Sequence, residues 1–230
     1  MEVLVIIPAR CGSVSLKNKN IKDLKGIPLF AHSIEYAKKS KYVSKIIVST
    51  DSQLYLDIAR KYGINTPFLR PKKYAKNDSQ DFEFVNHGLK KSEQIFKKIF
   101  DYVVILRPTS PLRPARLIEK SLKLLENNLE ASSVRSVAIT KEHPYRQWHF
   151  NSKNYIIGYE KSVLEPFNLP RQKLPEVFFQ TGDIEVMRRD TIIKGSVSGK
   201  NVLPLIIDHN LMFDIDEQSD FDNVSKTINE

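Results

Sequence analysis

The chain has almost no cysteine and no long apolar run, and each absence excludes a class of protein. Its 230 residues contain a single cysteine, Cys11, so no disulfide can form within the chain. Such scarcity is typical of a protein kept in a reducing compartment. No stretch approaches the roughly 20 consecutive apolar residues of a membrane span, and no leader-like segment precedes the first predicted strand. We therefore expect a cytoplasmic protein with no membrane partner.

The sequence also lacks the signs of a nucleic-acid-binding protein, although its net charge is +9. The excess lysines lie in small clusters, such as Lys38-Lys39 and Lys90-Lys91, which are typical of solvated helix and loop surfaces. No aromatic residues alternate with them to stack against bases. A basic pocket for a polyphosphate and an anionic sugar accounts for the excess equally well, so we expect no nucleic-acid partner.

Strand-like and helix-like segments alternate through the first two-thirds of the chain. Apolar content of 41% and charged content of 27% fit one α/β domain over residues 1–230. Short β-branched runs predict strands at residues 3–7, 44–49 and 102–106. Apolar residues at helical spacing separate them, so we expect a doubly wound, mostly parallel sheet that binds ligands at the carboxyl ends of its strands.

The loop that follows the first strand is suited to binding an anion. The run at residues 3–7 ends at Pro8, and the loop then carries Arg10, Lys17 and Lys19 among small polar residues. Backbone amides and cations at the end of a strand can hold the phosphates of a nucleotide. An ordinary strand exit with solvated lysines has the same pattern, and the loop matches neither the GxGxxG nor the GxxxxGK[ST] motif.

Five segments, in order along the chain, resemble those of the acylneuraminate cytidylyltransferases, which activate nine-carbon sialic-type sugars as CMP derivatives. The segments are Ile7-Pro8-Ala9-Arg10-Cys11-Gly12-Ser13 with Lys19-Asn20-Ile21, Ile46-Ile47-Val48-Ser49-Thr50-Asp51, Arg107-Pro108-Thr109-Ser110-Pro111-Leu112-Arg113, Pro170-Arg171-Gln172, and Asp214-Ile215-Asp216. The resemblance implies a nucleotide-diphospho-sugar transferase-like fold. It also implies attack by the anomeric hydroxyl of a sugar on the α-phosphorus of CTP, with release of pyrophosphate.

The resemblance assigns the nucleotide to the first loop and to two later ones. Arg10 and Lys19 match phosphate-contacting positions and are the predicted catalytic cations. The predicted nucleotide-binding residues are Ala9, Arg10, Gly12, Ser13, Lys19, Asn20, Asp51 and Ser79. Asp51 has an alternative role, because an aspartate at this point would also suit the start of the next helix.

Asp214 and Asp216 are the predicted ligands of a magnesium ion. Residues i and i+2 of an extended segment face the same way, so both carboxylates can converge on one hard cation. In the family order they are also predicted catalytic residues, since one carboxylate would help to deprotonate the nucleophile. The alternative is a helix N-terminus, because Asp216, Glu217 and Asp220 would suit the first turn of a helix running to about Ile228.

Residues 139–178 break the alternation, with prolines spread among several aromatic side chains. A surface excursion packed by its own aromatics explains this composition, whereas the resemblance implies an arm that reaches across a homodimer into the partner's sugar pocket. The predicted acceptor-binding residues are Arg107, Ser110, Arg146, Arg171, Gln172 and Asp183. We expect a homodimer in which a guanidinium such as that of Arg171 grips a sugar carboxylate.

The chain departs from the family pattern at the loop after the first strand, here called the phosphate loop (residues 9–20), and around the predicted sugar site. Val14 stands where the family has a lysine, Arg107 where it has a glutamine, and Phe179 where it has an arginine. Arg107 and Asp183 either neutralise each other or leave Asp183 free to favour an amine-bearing acceptor. We therefore expect N-acetylneuraminate to be a poor acceptor. The alternatives are a sugar 1-phosphate activated with another nucleotide and a catalytically inactive nucleotide-binding relative.

Overall fold

A central β-sheet brings the ends of its strands, and with them most of the predicted site, to one edge. The structure is a computed structural model that describes residues 1–13, 16–208 and 213–228. Its strands are β1 (Val3–Pro8), β2 (Asp23–Leu24), β3 (Ile27–Pro28), β4 (Lys45–Ser49), β5 (Tyr102–Ile105), β6 (Ser133–Ile139), β7 (Trp148–Phe150), β8 (Ile156–Gly158), β9 (Phe178–Arg188) and β10 (Val202–Ile206). Its helices are α1 (Leu29–Lys38), α2 (Gln53–Lys61), α3 (Asp81–Phe96), α4 (Leu117–Asn127), α5 (Arg189–Ile193) and α6 (Gln218–Thr227).

The six-stranded sheet is mostly parallel. Its strand order is β10-β6-β9-β5-β1-β4, and β1 runs parallel to β4 and β5, as β6 does to β10. This arrangement confirms the predicted doubly wound architecture. Strand β9 is an exception that the sequence analysis did not foresee, because it pairs antiparallel with both β5 and β6. The intervening chain leaves and returns at the same edge of the sheet, so β9 must run back against β6.

Helices cover both faces of the sheet, which explains why β1 is a continuous apolar run. On one face, Val5 shares a buried cluster with Phe30 of α1 and Leu122 of α4. On the other, Leu4 shares a cluster with Phe84 of α3. None of the helices that the structure describes is long and apolar enough to cross a membrane.

Residues 139–178 form an arm that leaves the sheet between β6 and β9. Strands β7 and β8 pair antiparallel within it, and the centroids of the Trp148 and Phe167 rings lie 4.2 Å apart. Other large apolar side chains remain uncovered, since Phe150 is 72% exposed and Leu164 is 91% exposed. The arm is therefore packed by its own aromatics only in part.

Candidate active site

A cleft of about 590 Å³ opens at the carboxyl ends of β1 and β5, the edge at which a doubly wound sheet binds ligands. Charged side chains from several separate segments line it. They are Arg10, Lys19, Arg70, Lys76, Arg107, Asp81, Asp214 and Asp216. Cations and carboxylates therefore face one space, as the transfer of a charged phosphoryl group requires.

The loop after β1 presents Arg10 to the cleft. The Ala9 N–H donates to the carbonyl oxygen of Ser49 at 2.9 Å, and Asn20 Nδ2 donates to the carbonyl oxygen of Arg10 at 3.0 Å. The Arg10 guanidinium donates to Asn77 Oδ1 at 2.7 Å. Arg10 and Asn20 line the cleft, whereas Ala9 is buried and its N–H is already occupied. The loop is thus tied to the sheet beneath it and to the segment across from it.

The next residues of this loop have different places. Ser13 lines the cleft, and Gly12 is exposed with a φ of 78°. Asp51 does not line the cleft and does not cap α2; its carboxylate accepts the Cys11 N–H at 2.8 Å. This contact holds the phosphate loop near the end of β4, so Asp51 does not have the alternative role at the start of α2, and its contact with the nucleotide stays a prediction. Val14, the position of the missing lysine, lies outside the described residues.

Lys19 joins this loop to the segment that carries the predicted metal ligands. It is 9% exposed, and its Nζ donates to the carbonyl oxygen of Ile215 at 2.8 Å and lies 3.2 Å from Asp216 Oδ1. The Ile215 N–H donates in turn to the carbonyl oxygen of Thr109 at 2.9 Å. Residues that are 196 and 197 positions apart in the sequence are therefore fixed side by side.

Both Asp214 and Asp216 line the cleft. The cap of α6 that was the alternative role exists, but Glu217 and Asp220 form it as a capping box. The pKa of the Asp214 carboxyl lies above its ordinary value, chiefly because surrounding protein atoms partly desolvate it. The like charge of the neighbouring Asp216 raises this pKa further. A hydrogen bond with Thr109 opposes this shift without cancelling it.

The chemistry of these two carboxylates fits a magnesium ion that takes its other ligands from a substrate. Among the residues that the structure describes, no group of three or more His, Cys, Asp or Glu side chains is placed to hold a metal. Magnesium is commonly bound through one or two carboxylates together with substrate phosphates and water. A triphosphate in the cleft would supply the oxygen atoms that the protein lacks.

Arg70 is a cleft residue that the sequence analysis missed. It is 5% exposed, its Nε donates to Ser49 Oγ at 3.0 Å, and its guanidinium lies 4.8 Å from the centroid of the Phe84 ring. Burial lowers its pKa to about 10. Within the described part of the chain, no carboxylate lies within 4.0 Å of it, so its charge is available to an anionic ligand. No sequence motif marks Arg70, because its role depends on where the fold buries it and not on its neighbours in the sequence.

Arg107 lines the cleft but does not pair with Asp183, so the first of the two alternatives for these residues is excluded. Its guanidinium donates to Asp81 at the start of α3 and to Glu185 on β9, at 2.6 Å for the latter. Glu185 also accepts from Arg135 of β6. Although burial opposes it, the charges of Glu185 and Asp81 raise the pKa of Arg107. Two cations and two carboxylates therefore compensate each other on this wall.

Asp183 lies behind the cleft rather than in it. It is 2% exposed, and burial raises the pKa of its carboxyl. Its carbonyl oxygen accepts a hydrogen bond from Arg113, and that guanidinium is also the nearby positive charge. The predicted negative charge beside the acceptor is therefore not presented to the cleft.

Comparison with known proteins identifies the family. A family model described as cytidylyltransferase matches residues 4–192, which include the phosphate loop, Arg70 and Arg107. The chain belongs to the cytidylyltransferase family. It is 32% identical to the post-translational flagellin modification protein B of Campylobacter coli, a match that covers 100% of this chain and 96% of that protein. It is 31% identical to the CMP-N,N'-diacetyllegionaminic acid synthase of Campylobacter jejuni, covering 96% and 92% respectively.

The fold of this cytidylyltransferase also matches that of a solved structure. The solved protein is a CMP:2-keto-3-deoxy-manno-octonic acid synthetase complexed with CTP, with a TM-score of 0.73, 17% identity and coverage of 100% of this chain and 99% of that one. At this identity the likeness concerns the fold alone. It confirms the predicted nucleotidyltransferase-like α/β architecture.

The remaining predicted residues of the cytidylyltransferase divide into two groups. Ser79 lines the cleft and accepts the Lys76 N–H at 3.1 Å, while Ser110 is buried directly behind the cleft wall. The other group lies on the arm and outside the cleft of its own subunit: Arg146, Arg171 and Gln172. Their contact with a sugar stays a prediction, because none of the three lines the cleft.

Proposed function

We propose that this cytidylyltransferase is a cytoplasmic enzyme that transfers CMP from CTP to the anomeric hydroxyl of a sialic-like 2-keto sugar acid and releases pyrophosphate. The observation that carries the proposal is the contact of Lys19 with Ile215 and Asp216, because it brings a phosphate-suited loop against a pair of carboxylates. The name of the Campylobacter jejuni relative, a synthase of a CMP sugar acid, supports this choice of reaction.

Arg10, Lys19 and Arg70 would hold the triphosphate. The hydrogen bond of Arg10 is to the neutral Asn77, and Arg70 bonds Ser49, so neither contact neutralises a guanidinium. Fixed cations of this kind stabilise the charge that shifts from the α-phosphate to the leaving pyrophosphate. Arg10 would therefore act in catalysis as well as in binding. Lys19, which also contacts Asp216, would share its charge between that carboxylate and the triphosphate.

Asp214 and Asp216 would hold a magnesium ion. When bound, this ion supplies positive charge to the reacting oxygen atoms. Lys19 keeps the Asp216 carboxylate in place from the side of the phosphate loop. One of the two carboxylates would also accept the proton of the anomeric hydroxyl as that oxygen attacks.

The preferred acceptor would be an unusual bacterial-type sialic sugar rather than N-acetylneuraminate. The charge of Arg107 is compensated by Asp81 and Glu185, so Arg107 is suited to a neutral oxygen of the acceptor rather than to its carboxylate. The carboxylate would then be gripped by Arg171. The name of the Campylobacter jejuni relative, whose sugar is N,N'-diacetyllegionaminic acid, supports this preference.

The enzyme would be a homodimer in which each arm completes the partner's sugar pocket. The exposed Phe150 and Leu164 side chains of the arm support this assembly, because a second subunit would remove them from water. The position of Arg171 outside its own cleft supports it as well.

Pyrophosphate release tests the reaction. All four nucleoside triphosphates are combined with N-acetylneuraminate, bacterial-type sialic sugars and a sugar 1-phosphate, with and without magnesium. We expect turnover with CTP, magnesium and a bacterial-type sugar acid. Asp214→Asn and Asp216→Asn should remove most of it, whereas the matched control Asp222→Asn, an exposed carboxylate on α6, should not. Preference for another nucleotide, or full activity of both cleft variants at limiting magnesium, would contradict the proposal.

A further inference from the structure

Strand β9 bulges at the point where β5 ends. The β6–β9 ladder shifts register between Arg135 and Val137, so that residues 181–184 of β9 stand opposite Ser136 alone. Strand β5 stops beside this bulge, at Ile105. Bulges next to active sites commonly re-aim side chains or backbone toward the site.

The Ser136 hydroxyl holds this bulge from behind. Ser136 is completely buried, and its Oγ accepts hydrogen bonds from Thr181 Oγ1 at 2.7 Å and from the Ile184 N–H at 3.1 Å. The hydroxyl also lies 3.0 Å from the Ile184 carbonyl oxygen, to which it donates. One side chain thus forms hydrogen bonds with the Thr181 hydroxyl at one end of the bulge and with the Ile184 backbone at the other.

The apex of the bulge touches the wall that carries the candidate catalytic carboxylate. A Cβ atom at Gly182 would lie 2.9 Å from Ser110 Oγ and 3.8 Å from Asp214 Oδ1. The bulge therefore lies close to both residues, and glycine is needed there because the Cβ atom of any other residue would displace the serine hydroxyl. A shift of the bulge would change the packing beside Ser110 and Asp214.

Arg113 joins the bulge to the loop that follows β5. Its buried guanidinium donates to the carbonyl oxygens of Asp183 and Arg107, and to Ser33 Oγ of α1 at 3.0 Å. These contacts hold the bulge and the loop after β5 together, and the bond from the Ile215 N–H to the Thr109 carbonyl oxygen adds the segment of Asp214. Ser136 ties both ends of the bulge to β6.

We propose that Ser136 is a positioning residue for the transfer reaction and acts through the bulge on the Asp214 carboxylate. This inference rests on the proposed function, since that function gives Asp214 its part in the chemistry. Without the hydroxyl, Thr181 and Ile184 lose their shared partner and the bulge can relax away from Asp214. The cations for the triphosphate belong to other segments, so kcat should fall while KM for CTP stays near the wild-type value.

Ser136→Ala tests the proposal, and Ser133→Ala is its matched control. Ser133 lies on the same strand, is equally buried, and donates to the Ser198 carbonyl oxygen at 2.6 Å at the end of β6 away from the cleft. Both variants lose a buried hydroxyl and should melt at lower temperature. We expect Ser136→Ala to lower kcat about 10- to 100-fold at a temperature where both are folded, the size expected for a misplaced reacting group. Ser133→Ala should keep the wild-type kcat and KM.

Hydrogen exchange gives a second readout that does not depend on turnover. The Ile184 N–H is bonded to Ser136 directly, and the Ile215 N–H reports on the segment of Asp214 through its bond to Thr109. Exchange at both amides should be faster in Ser136→Ala and unchanged in Ser133→Ala. If Ser136→Ala does not fold, the nearly isosteric Ser136→Cys takes its place, with a smaller loss of kcat expected because a thiol is a weak donor.

Three results would overturn the inference. They are a wild-type kcat in the folded Ser136 variant, an equal loss of kcat in Ser133→Ala, and a raised KM for CTP that accounts for the whole loss. If the wild-type protein turns over no acceptor, the proposed function fails, and the role of Ser136 in the transfer reaction fails with it. Exchange at Ile215 then decides only the structural coupling: unchanged exchange in the Ser136 variant would refute it, and faster exchange would show that Ser136 holds the segment of Asp214.

Discussion

Replacing Glu185 by leucine should destabilise the protein far more than an average substitution. The Glu185 side chain is 2% exposed and accepts from Arg107 Nε at 3.1 Å and from Arg107 Nη2 at 2.6 Å. Its other carboxylate oxygen accepts from Arg135. In the variant, Arg107 would keep Asp81, whereas Arg135 would have no carboxylate partner among the residues that the structure describes.

The expected loss follows from the charge left behind. Removing one partner of a buried ion pair costs about 3–5 kcal/mol, because the remaining charge stays desolvated. The Arg135 side chain is 14% exposed, so its unpaired charge should cause most of this loss of stability. Arg107 should add little to the loss, because its side chain is more exposed and keeps Asp81 as a partner. We therefore expect Glu185→Leu to lower the free energy of unfolding by about 3 kcal/mol. For a chain of this length, that corresponds to a fall in Tm of roughly 6–12 °C.

Urea unfolding of four proteins measures the effect: the wild type, Glu185→Leu, Arg135→Met and the double variant. The double variant leaves no unpaired charge, so it should recover most of the free energy lost in Glu185→Leu. A loss below about 1 kcal/mol in Glu185→Leu, which is ordinary for any substitution, would refute the reasoning. So would a double variant whose loss equals the sum of the two single losses.

Three further predictions concern the phosphate loop, two partly buried histidines and the arm. Arg10→Ala should lower kcat/KM for CTP by roughly 10- to 100-fold through loss of a charge-assisted contact, and unchanged kinetics would place the triphosphate elsewhere. Burial lowers the pKa of both His32 and His87 below 6.5, so the unfolded state binds more protons than the native state as the pH drops below 6.5. The free energy of unfolding should therefore fall over that range, and His32→Gln should flatten the slope in urea titrations. Mixing inactive Arg171→Ala and Asp214→Asn subunits should restore activity if each arm serves its partner, and light scattering should then give twice the 26.5 kDa subunit mass.

Features encoded within a few neighbouring residues could be predicted from the sequence. Strand β1 is an uninterrupted apolar run because both faces of the sheet are covered, and its exit into a basic loop marks the cleft. The spacing of Asp214 and Asp216 likewise predicts that they share a direction, and both line the cleft. In these cases the pattern and the structure depend on the same local geometry.

Features that depend on tertiary contacts could not be predicted in this way. Arg70 is one of 36 lysines and arginines, and only the fold shows that it is buried at the cleft without a carboxylate. A pair between Arg107 and Asp183 was one of two alternatives, yet the partner of Arg107 on β9 is Glu185. In a regular strand these two acidic residues would point to the same side, but the bulge at residues 181–184 breaks the alternation and buries Asp183 behind the wall.

The contact of Lys19 with the segment of Asp216 also determines when the site can exist during synthesis. All ten strands that the structure describes precede Phe213 in the sequence, and translation runs from the N-terminus, so each of these strands is made before Asp214 and Asp216. Closing the cleft then requires a contact across 196 positions of chain. On the proposed function, catalytic competence is thereby coupled to translation beyond residue 216. A product that stopped before residue 214 would keep the phosphate loop and the sheet but would lack both proposed metal ligands.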